Sequence, residues 1–288
     1  MHPFDHPSVR RLILTALEED IGRGDATTAA TVPSGVRAEG TIRAKEDLVA
    51  AGLPLAERIF TLLDRGCRVR VLAREGEEVR AGAAVIEAEG EAAALLTGER
   101  VVLNFVQHLC GVATVTRRFV EAVAGTGCRI VDTRKTMPGL RLLEKYAVVC
   151  GGGVNHRLGL DDGILIKDNH IALCGGVTEA VRRARDRAGG GLLRVEVECA
   201  TLAQVGEAVE ARADVILLDN MDTATIARAV GLVGGRAAIE ASGGMSLPRV
   251  RQVAETGVNM ISVGALTHSA RAVDLSMSIT SARGPQAG

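Results

Sequence analysis

Short apolar runs punctuate the second half of the chain at near-regular intervals. Six recur: IVDT (130–133), ILIK (164–167), LLRVEVE (192–198), DVILLD (214–219), AAIEAS (237–242) and MISVGA (260–265). Between them, apolar residues return at helical spacing over 177–188, 201–211, 222–230 and 247–256. Strand and helix alternating in this way predict βα units around a parallel sheet. The first 112 residues lack that rhythm. Val9, Leu12, Ile13, Ala16 and Leu17 predict a helix over 8–20 behind a Ser8 cap. Residues 36–49 and 67–73 alternate apolar with polar, as half-buried strands do, and 75–90 reads as two short strands about a glycine turn. Residues 91–124 predict a helical region broken at Gly111. The expected organisation is an N-terminal α+β domain over 1–112, with residues 270–288 able to pack on it, and an α/β domain over 113–269.

Six βα repeats suit either an incomplete barrel or an open doubly wound sheet. The strand ends favour the barrel. Each run finishes in polar residues: Arg134 and Lys135; Lys167, Asp168 and Asn169; Glu196 and Glu198; Asp219 and Asn220; Glu240 and Ser242; Gly264 and His268. In a barrel all such ends converge on one mouth. In an open sheet only those beside the switch point would meet. The predicted fold class is therefore α/β: an N-terminal α+β domain followed by an incomplete, about six-stranded, parallel α/β barrel.

Composition narrows the function. Thirty-four Lys and Arg oppose 35 Asp and Glu, and aromatics are 2% with no Trp. A nucleic-acid partner is not expected, because both a basic excess and base-stacking platforms are missing. No apolar run reaches the roughly 18 residues of a membrane span, so no membrane partner is expected either. The six cysteines form neither a CxxC pair nor a zinc-like cluster, and they read as reduced and mostly buried. With no apolar segment resembling a signal peptide at the start, the expected location is the cytoplasm.

The strand ends carry two classes of charge. Arg134, Lys135 and Lys167, joined by His156 and Arg157 from the loop GGGVNHR, are cationic; Glu196, Glu198 and Asp219 are anionic. A lysine ending the apolar run ILIK would be costly if buried alone, which marks Lys167 as functional rather than a solvated surface charge. Arg182, Arg183 and Arg185 on one helix read as solvated. Glu196 shares a side with Glu198 by strand alternation and could instead pair with a mouth cation. His170 and His268 could simply order loops. The glycine-rich turns SGG (242–244) and VGA (263–265) could hold phosphate through backbone N–H groups. The inventory calls for a poly-anionic ligand, together with a cation, metal or sugar hydroxyls for the carboxylates to grip.

Longer motifs identify a family. TRKTMPGLRLLEKYAV (133–148), GGGVNHRLGLDDGILIKDNHI (151–171), VEVE (195–198), ILLDN (216–220), EASGG (240–244) and VGALTHS (263–269) resemble quinolinate phosphoribosyltransferase. EDIGRGDATT (19–28) and GERVVLNFVQHLCGVAT (98–114) resemble its N-terminal half. Cys110 stands where the family usually has Ser, and the tail SARGPQAG matches nothing. The resemblance implies transfer of phosphoribosyl from phosphoribosyl pyrophosphate to quinolinate with decarboxylation, giving nicotinate mononucleotide, CO2 and pyrophosphate. It implies that Arg100, Arg134, His156, Arg157 and Lys167 surround the quinolinate carboxylates, and that Lys135 serves the donor. It implies that Glu198 and Asp219 hold the ribose hydroxyls, directly or through Mg2+. Thr133 and the backbone at Ser242, Gly243, Gly244, Val263, Gly264 and Ala265 complete the expected substrate contacts, with Lys135, Glu198 and Asp219 as the catalytic set. The implied assembly is a homodimer or larger, in which Arg100 reaches the partner's site.

Two other classes compete. A barrel lyase could use Lys167 or Lys135 as a Schiff-base amine; the crowd of cations, which demands an anionic substrate, speaks against it. A non-catalytic binder of an anionic metabolite or oxyanion would show substitutions among the charged mouth residues, and none is seen.

Overall fold

The computed structural model describes residues 3–188 and 193–281. Contacts divide the chain into two compact units. Among the described residues, the first comprises 3–115, 137–152 and 269–281, and the second 116–136, 153–188 and 193–268.

The first unit opens with helices α1 (Pro7–Ile21) and α2 (Ala26–Thr31). Val9, Ile13 and Leu17, spaced four apart, put one buried stripe on α1. Its cap is His6, not Ser8: the His6 ring accepts the Ser8 N–H, and Pro7 occupies the first turn, where a missing N–H is harmless. Strands β1 (Arg37–Ala44) and β2 (Leu48–Val49), helix α3 (Leu55–Leu63), and strands β3 (Arg68–Val71), β4 (Glu78–Val79) and β5 (Ala84–Glu91) follow. Helix α4 (Ala92–Ala122) then runs unbroken. Gly111 does not interrupt it. A Cβ there would sit 2.2 Å from the Arg271 carbonyl oxygen, so this glycine lets a second backbone pack against the helix.

The second unit carries the parallel strands. In chain order come β6 (Arg129–Val131), α5 (Arg141–Cys150, part of the first unit), β7 (Ile164–Ile166), α6 (Asp168–Cys174) and α7 (Val177–Ala188). They continue with β8 (Val195–Cys199), α8 (Leu202–Glu210), β9 (Val215–Asp219), α9 (Thr223–Val233), β10 (Ala238–Ser242), α10 (Leu247–Ala254), β11 (Met260–Ser262) and α11 (Ala265–His268). Strand β12 (Leu275–Ser281) returns to the first unit. It pairs antiparallel with β1 along its whole length, in a sheet ordered β12-β1-β5-β3. The end of the tail, 282–288, lies outside the described residues, as does Gly191–Leu192 at the start of the run around β8.

The six-stranded sheet is ordered β6-β11-β10-β9-β8-β7 and parallel throughout. Its outer strands β6 and β7 do not pair with each other; an isolated parallel bridge joins Val131 to Val154 in the segment between them. Val195, Val197, Ile216, Leu218, Ile239, Ala241 and Ile261 are buried, as strands covered by helices require. The register fixes the interior layers. Leu165, Glu196, Val215 and Ala238 are level; Glu198, Leu217, Glu240 and Met260 form the next layer; Asp219 and Ser242 lie above Leu217 and Glu240. Among the described residues no helix is long and apolar enough to cross a membrane.

Candidate active site

The C-terminal ends of all six strands line one cavity of about 520 Å³. Thr133, Arg134 and Lys135 follow β6; Leu165 lies in β7 and Lys167 just after it; Glu198 is in β8; Leu217 and Asp219 are in β9 and Asn220 just after it; Glu240 and Ser242 are in β10; Ser262 ends β11. His156 and Arg157 enter from the loop before β7. Such convergence is what a barrel mouth does and an open sheet does not. The cavity is of the size that holds a small metabolite.

Side chains at the rim are held in defined positions. Lys167 Nζ donates to Glu198 Oε2 at 3.1 Å, and its side chain is 48% exposed. The run ILIK overstates the strand by one residue: β7 ends at Ile166, and Lys167 already caps α6. Its backbone N–H is taken by His170 Nδ1 at 2.9 Å, which gives His170 a loop-ordering role. Lys135 is fixed through its backbone. Its N–H donates to Thr133 Oγ1 (3.0 Å), and its carbonyl accepts from Thr267 Oγ1 (2.7 Å). Asn220 Nδ2 donates to Asp219 Oδ2 (2.8 Å), while its own N–H donates to the Ser242 carbonyl (3.0 Å), tying the loops after β9 and β10. Arg249 clamps the same two loops, donating to the carbonyls of Gly243 (3.1 Å) and Met221 (2.6 Å).

Beneath the rim lies a buried ionic group. His156 Nε2 is 3.0 Å from Glu196 Oε2 and 3.4 Å from Glu240 Oε2; the two glutamates are 7% and 1% exposed. The contact with Glu196 is a hydrogen bond, whereas that with Glu240 Oε2 is an ion-pair approach too poorly directed to be one; Glu196 Oε1 has no hydrogen-bond partner. The acceptors of Glu196 and then Glu240 beside the ring push the His156 pKa up to about 10, and burial holds Glu196 protonated to higher pH than usual. The Arg157 backbone N–H points at His156 Nδ1 from 2.8 Å and opposes a second proton there. The two influences conflict over the ring's charge. Both place a proton on Nε2, facing the carboxylates. The same three residues are the one cluster with metal-ligand spacing among the described residues, within 4.8 Å. Burial, and next the nearby Arg134, pulls Arg157 down from its usual value. Cations crowded in this way favour an anionic ligand.

Several expected residues stand apart from the cavity wall. Gly243 and Gly244 both have positive φ (93° and 58°) in the turn after β10 but do not line the cavity. Val263 is buried in the core, Gly264 packs beside Lys135 and His268, and Ala265 already begins α11. MISVGA therefore overstates the strand, which stops at Ser262. Arg100 is an exposed residue of α4 in the first unit. Four positioning residues escaped the sequence reading: Asp132, Asn155, Thr267 and Arg249. Asp132 is fully buried and accepts from the His156 backbone N–H (2.9 Å) and Asn155 Nδ2 (2.6 Å). An acid inside the apolar run IVDT was a readable signal; Thr267 and Arg249 left none.

Comparison with known proteins finds relatives over nearly the whole chain. Family models for the quinolinate phosphoribosyl transferase N-terminal and C-terminal domains match residues 25–110 and 112–278. A probable nicotinate-nucleotide pyrophosphorylase (carboxylating) of Bacillus subtilis is 44% identical over 277 residues, covering 96% of this chain and 95% of the relative. Its counterpart from Synechocystis is 48% identical over 268 residues, covering 91% and 90%. The crystal structure of NadC from Streptococcus pyogenes superposes with a TM-score of 0.92 at 40% identity, covering 98% and 99% of the two chains. With both domain models and near-full-length relatives above 40% identity, the chain belongs to the quinolinate phosphoribosyltransferase family.

Proposed function

We propose that this chain transfers phosphoribosyl from phosphoribosyl pyrophosphate to quinolinate, with decarboxylation, yielding nicotinate mononucleotide, CO2 and pyrophosphate for NAD biosynthesis. The observation that carries the reading is the single cavity in which crowded Arg134, Arg157 and Lys167 face the strand-end carboxylates Glu198 and Asp219. A pyridine dicarboxylate fits the cations through charge-assisted hydrogen bonds. The sugar fits the carboxylates.

The chemistry follows from those charges. As the C1–pyrophosphate bond breaks, the sugar gains positive character, and Glu198 and Asp219 stabilise it. The quinolinate ring nitrogen attacks C1. The resulting pyridinium draws in the electron pair released when the 2-carboxylate leaves as CO2, and a proton then takes its place. Lys135, exposed at the rim with its backbone pinned, meets the donor's phosphates. His156 and Arg157 form the acid-binding wall beside Arg134. The backbone N–H groups of the turns at Gly243–Gly244 and Gly264–Ala265 serve the donor phosphate; Val263 cannot join them, because its N–H already donates to the Val131 carbonyl (3.0 Å). Glu198 and Asp219 offer the hard carboxylate oxygens that Mg2+ prefers, so they are the residues that would hold it with the donor. When bound, Mg2+ neutralises pyrophosphate charge.

The working unit in this reading is a homodimer or larger, with Arg100 of one protomer completing the acid pocket of its partner, a reciprocal arrangement natural to two-fold symmetry. The reading is tested by supplying purified protein with both substrates and Mg2+. Nicotinate mononucleotide should accumulate only when both are present. Product from an aldehyde donor, trapped covalently by borohydride, would favour a lysine-based lyase instead.

A further inference from the structure

Residues 155–157 follow the Val154 bridge without regular secondary structure, yet they carry two of the cavity's charged groups. A loop of this kind keeps its geometry only through side-chain ties. Asp132 fixes the His156 amide, the His156 ring fixes the Arg157 amide through Nδ1, and Arg157 Nη1 donates to the Gly163 carbonyl at 2.9 Å. The far end of the ring is held by Glu196 from β8 and Glu240 from β10, the strands on either side of β9. We infer that Glu240 and Glu196 are positioning residues for quinolinate binding, acting through His156 to aim Arg157 at the substrate carboxylates. This inference rests on the function proposed above.

The energetics favour a functional over a structural role. Two carboxylates buried around one imidazole repel each other, and each keeps an oxygen without a hydrogen bond. Such an arrangement contributes little to folding, and apolar residues of similar volume would pack at least as stably. What the pair does provide is direction. A hydrogen bond to Glu196 and the ion-pair contact of Glu240, on separate strands, fix the ring's tilt, and the ring's other nitrogen transmits that tilt to the next residue's amide.

Glu240→Gln tests this, because it keeps the shape and removes one charge. Wild type is first shown to make nicotinate mononucleotide; failure there rejects the proposed function and is distinct from failure of this inference. In the variant, KM for quinolinate should rise by about 10-fold or more, the scale of one lost charge-assisted interaction. KM for phosphoribosyl pyrophosphate and kcat should stay within about twofold, and the melting temperature should not fall. Glu196→Gln should behave alike, and it serves if the first variant does not fold. His156→Asn should reproduce the quinolinate defect, and adding Glu240→Gln to it should cost less than about twofold more, because both act along one path. An unchanged quinolinate KM, an equal rise in both KM values with a lowered melting temperature, or fully additive losses in the double variant would each overturn the inference. So would a stoichiometric divalent metal retained by dialysed wild type and lost from Glu240→Gln.

Discussion

Gly243→Ala tests the architecture of the mouth where space is tightest. A Cβ on Gly243 would lie 2.1 Å from Asn220 Oδ1, 2.6 Å from its Cγ and 2.9 Å from its backbone nitrogen. Rotating the Asn220 side chain relieves the first two contacts but breaks its bond to Asp219. The third cannot be relieved that way, because the Asn220 N–H is committed to the Ser242 carbonyl. Alanine would also have to adopt φ near +93°. That backbone conformation costs about 1–2 kcal/mol for a residue with a Cβ. Overpacking adds about 1–3 kcal/mol. Together they predict a loss of about 2–5 kcal/mol, or a melting temperature lower by roughly 5–15 °C. The strain falls on the Asp219–Asn220 turn, so KM for phosphoribosyl pyrophosphate should rise more than KM for quinolinate. Thermal melting and two-substrate kinetics measure both effects. Wild-type stability together with an unchanged donor KM would refute the reasoning.

Further substitutions separate the halves of the site. Arg134→Ala and Lys167→Ala should each weaken quinolinate binding by about 10- to 100-fold, the scale of a charge-assisted hydrogen bond in a desolvated site; calorimetric titration with unchanged affinity in both would remove them from the acid pocket. Asp219→Asn retains shape and the capacity to pair with Asn220 but loses the charge that favours a cationic sugar. It should bind quinolinate normally and turn over about 100-fold or more slowly, and wild-type turnover would defeat its assigned role. Arg100→Ala and Lys135→Ala, each inactive, should recover about a quarter of wild-type activity when unfolded and refolded together, because half the dimers are mixed and each mixed dimer holds one intact site. A dead mixture, beside wild type that refolds normally, would sink the shared site.

The barrel was readable because its periodicity and its chemistry coincide. Apolar runs ending in charge signal both a parallel strand and a mouth, so β6 to β11 and the grouping of Arg134, Lys167, Glu198 and Asp219 followed from one pattern. Some features differ from the local signal because of a tertiary contact, others because a neighbouring residue does the same work. Gly111 looked like a helix breaker because glycine lowers helix stability, but its lost side chain makes room for the Arg271 carbonyl, a partner 160 residues away along the chain. Ser8 looked like a cap because the residue type is right; the His6 ring does that work instead. Lys167 reads as the last residue of an apolar strand, yet β7 ends at Ile166 and Lys167 stands half-exposed in the cavity, paired with Glu198. Glu240 was visible as a strand-end charge, but only three-dimensional packing joins it to His156 across β9. Thr267 and Arg249 act through backbone carbonyls, which any sequence supplies, so nothing local distinguished them.

The central claim is most directly tested with quinolinate carrying an isotopic label in its 2-carboxylate. The purified protein, given this substrate with phosphoribosyl pyrophosphate and Mg2+, should release labelled CO2 in step with unlabelled nicotinate mononucleotide, one for one. Omitting the phosphoribosyl donor should abolish CO2 release, because the carboxylate can leave only after the ring nitrogen becomes a cation. Labelled CO2 released without the donor, or no nucleotide from folded protein supplied with both substrates, would contradict the account.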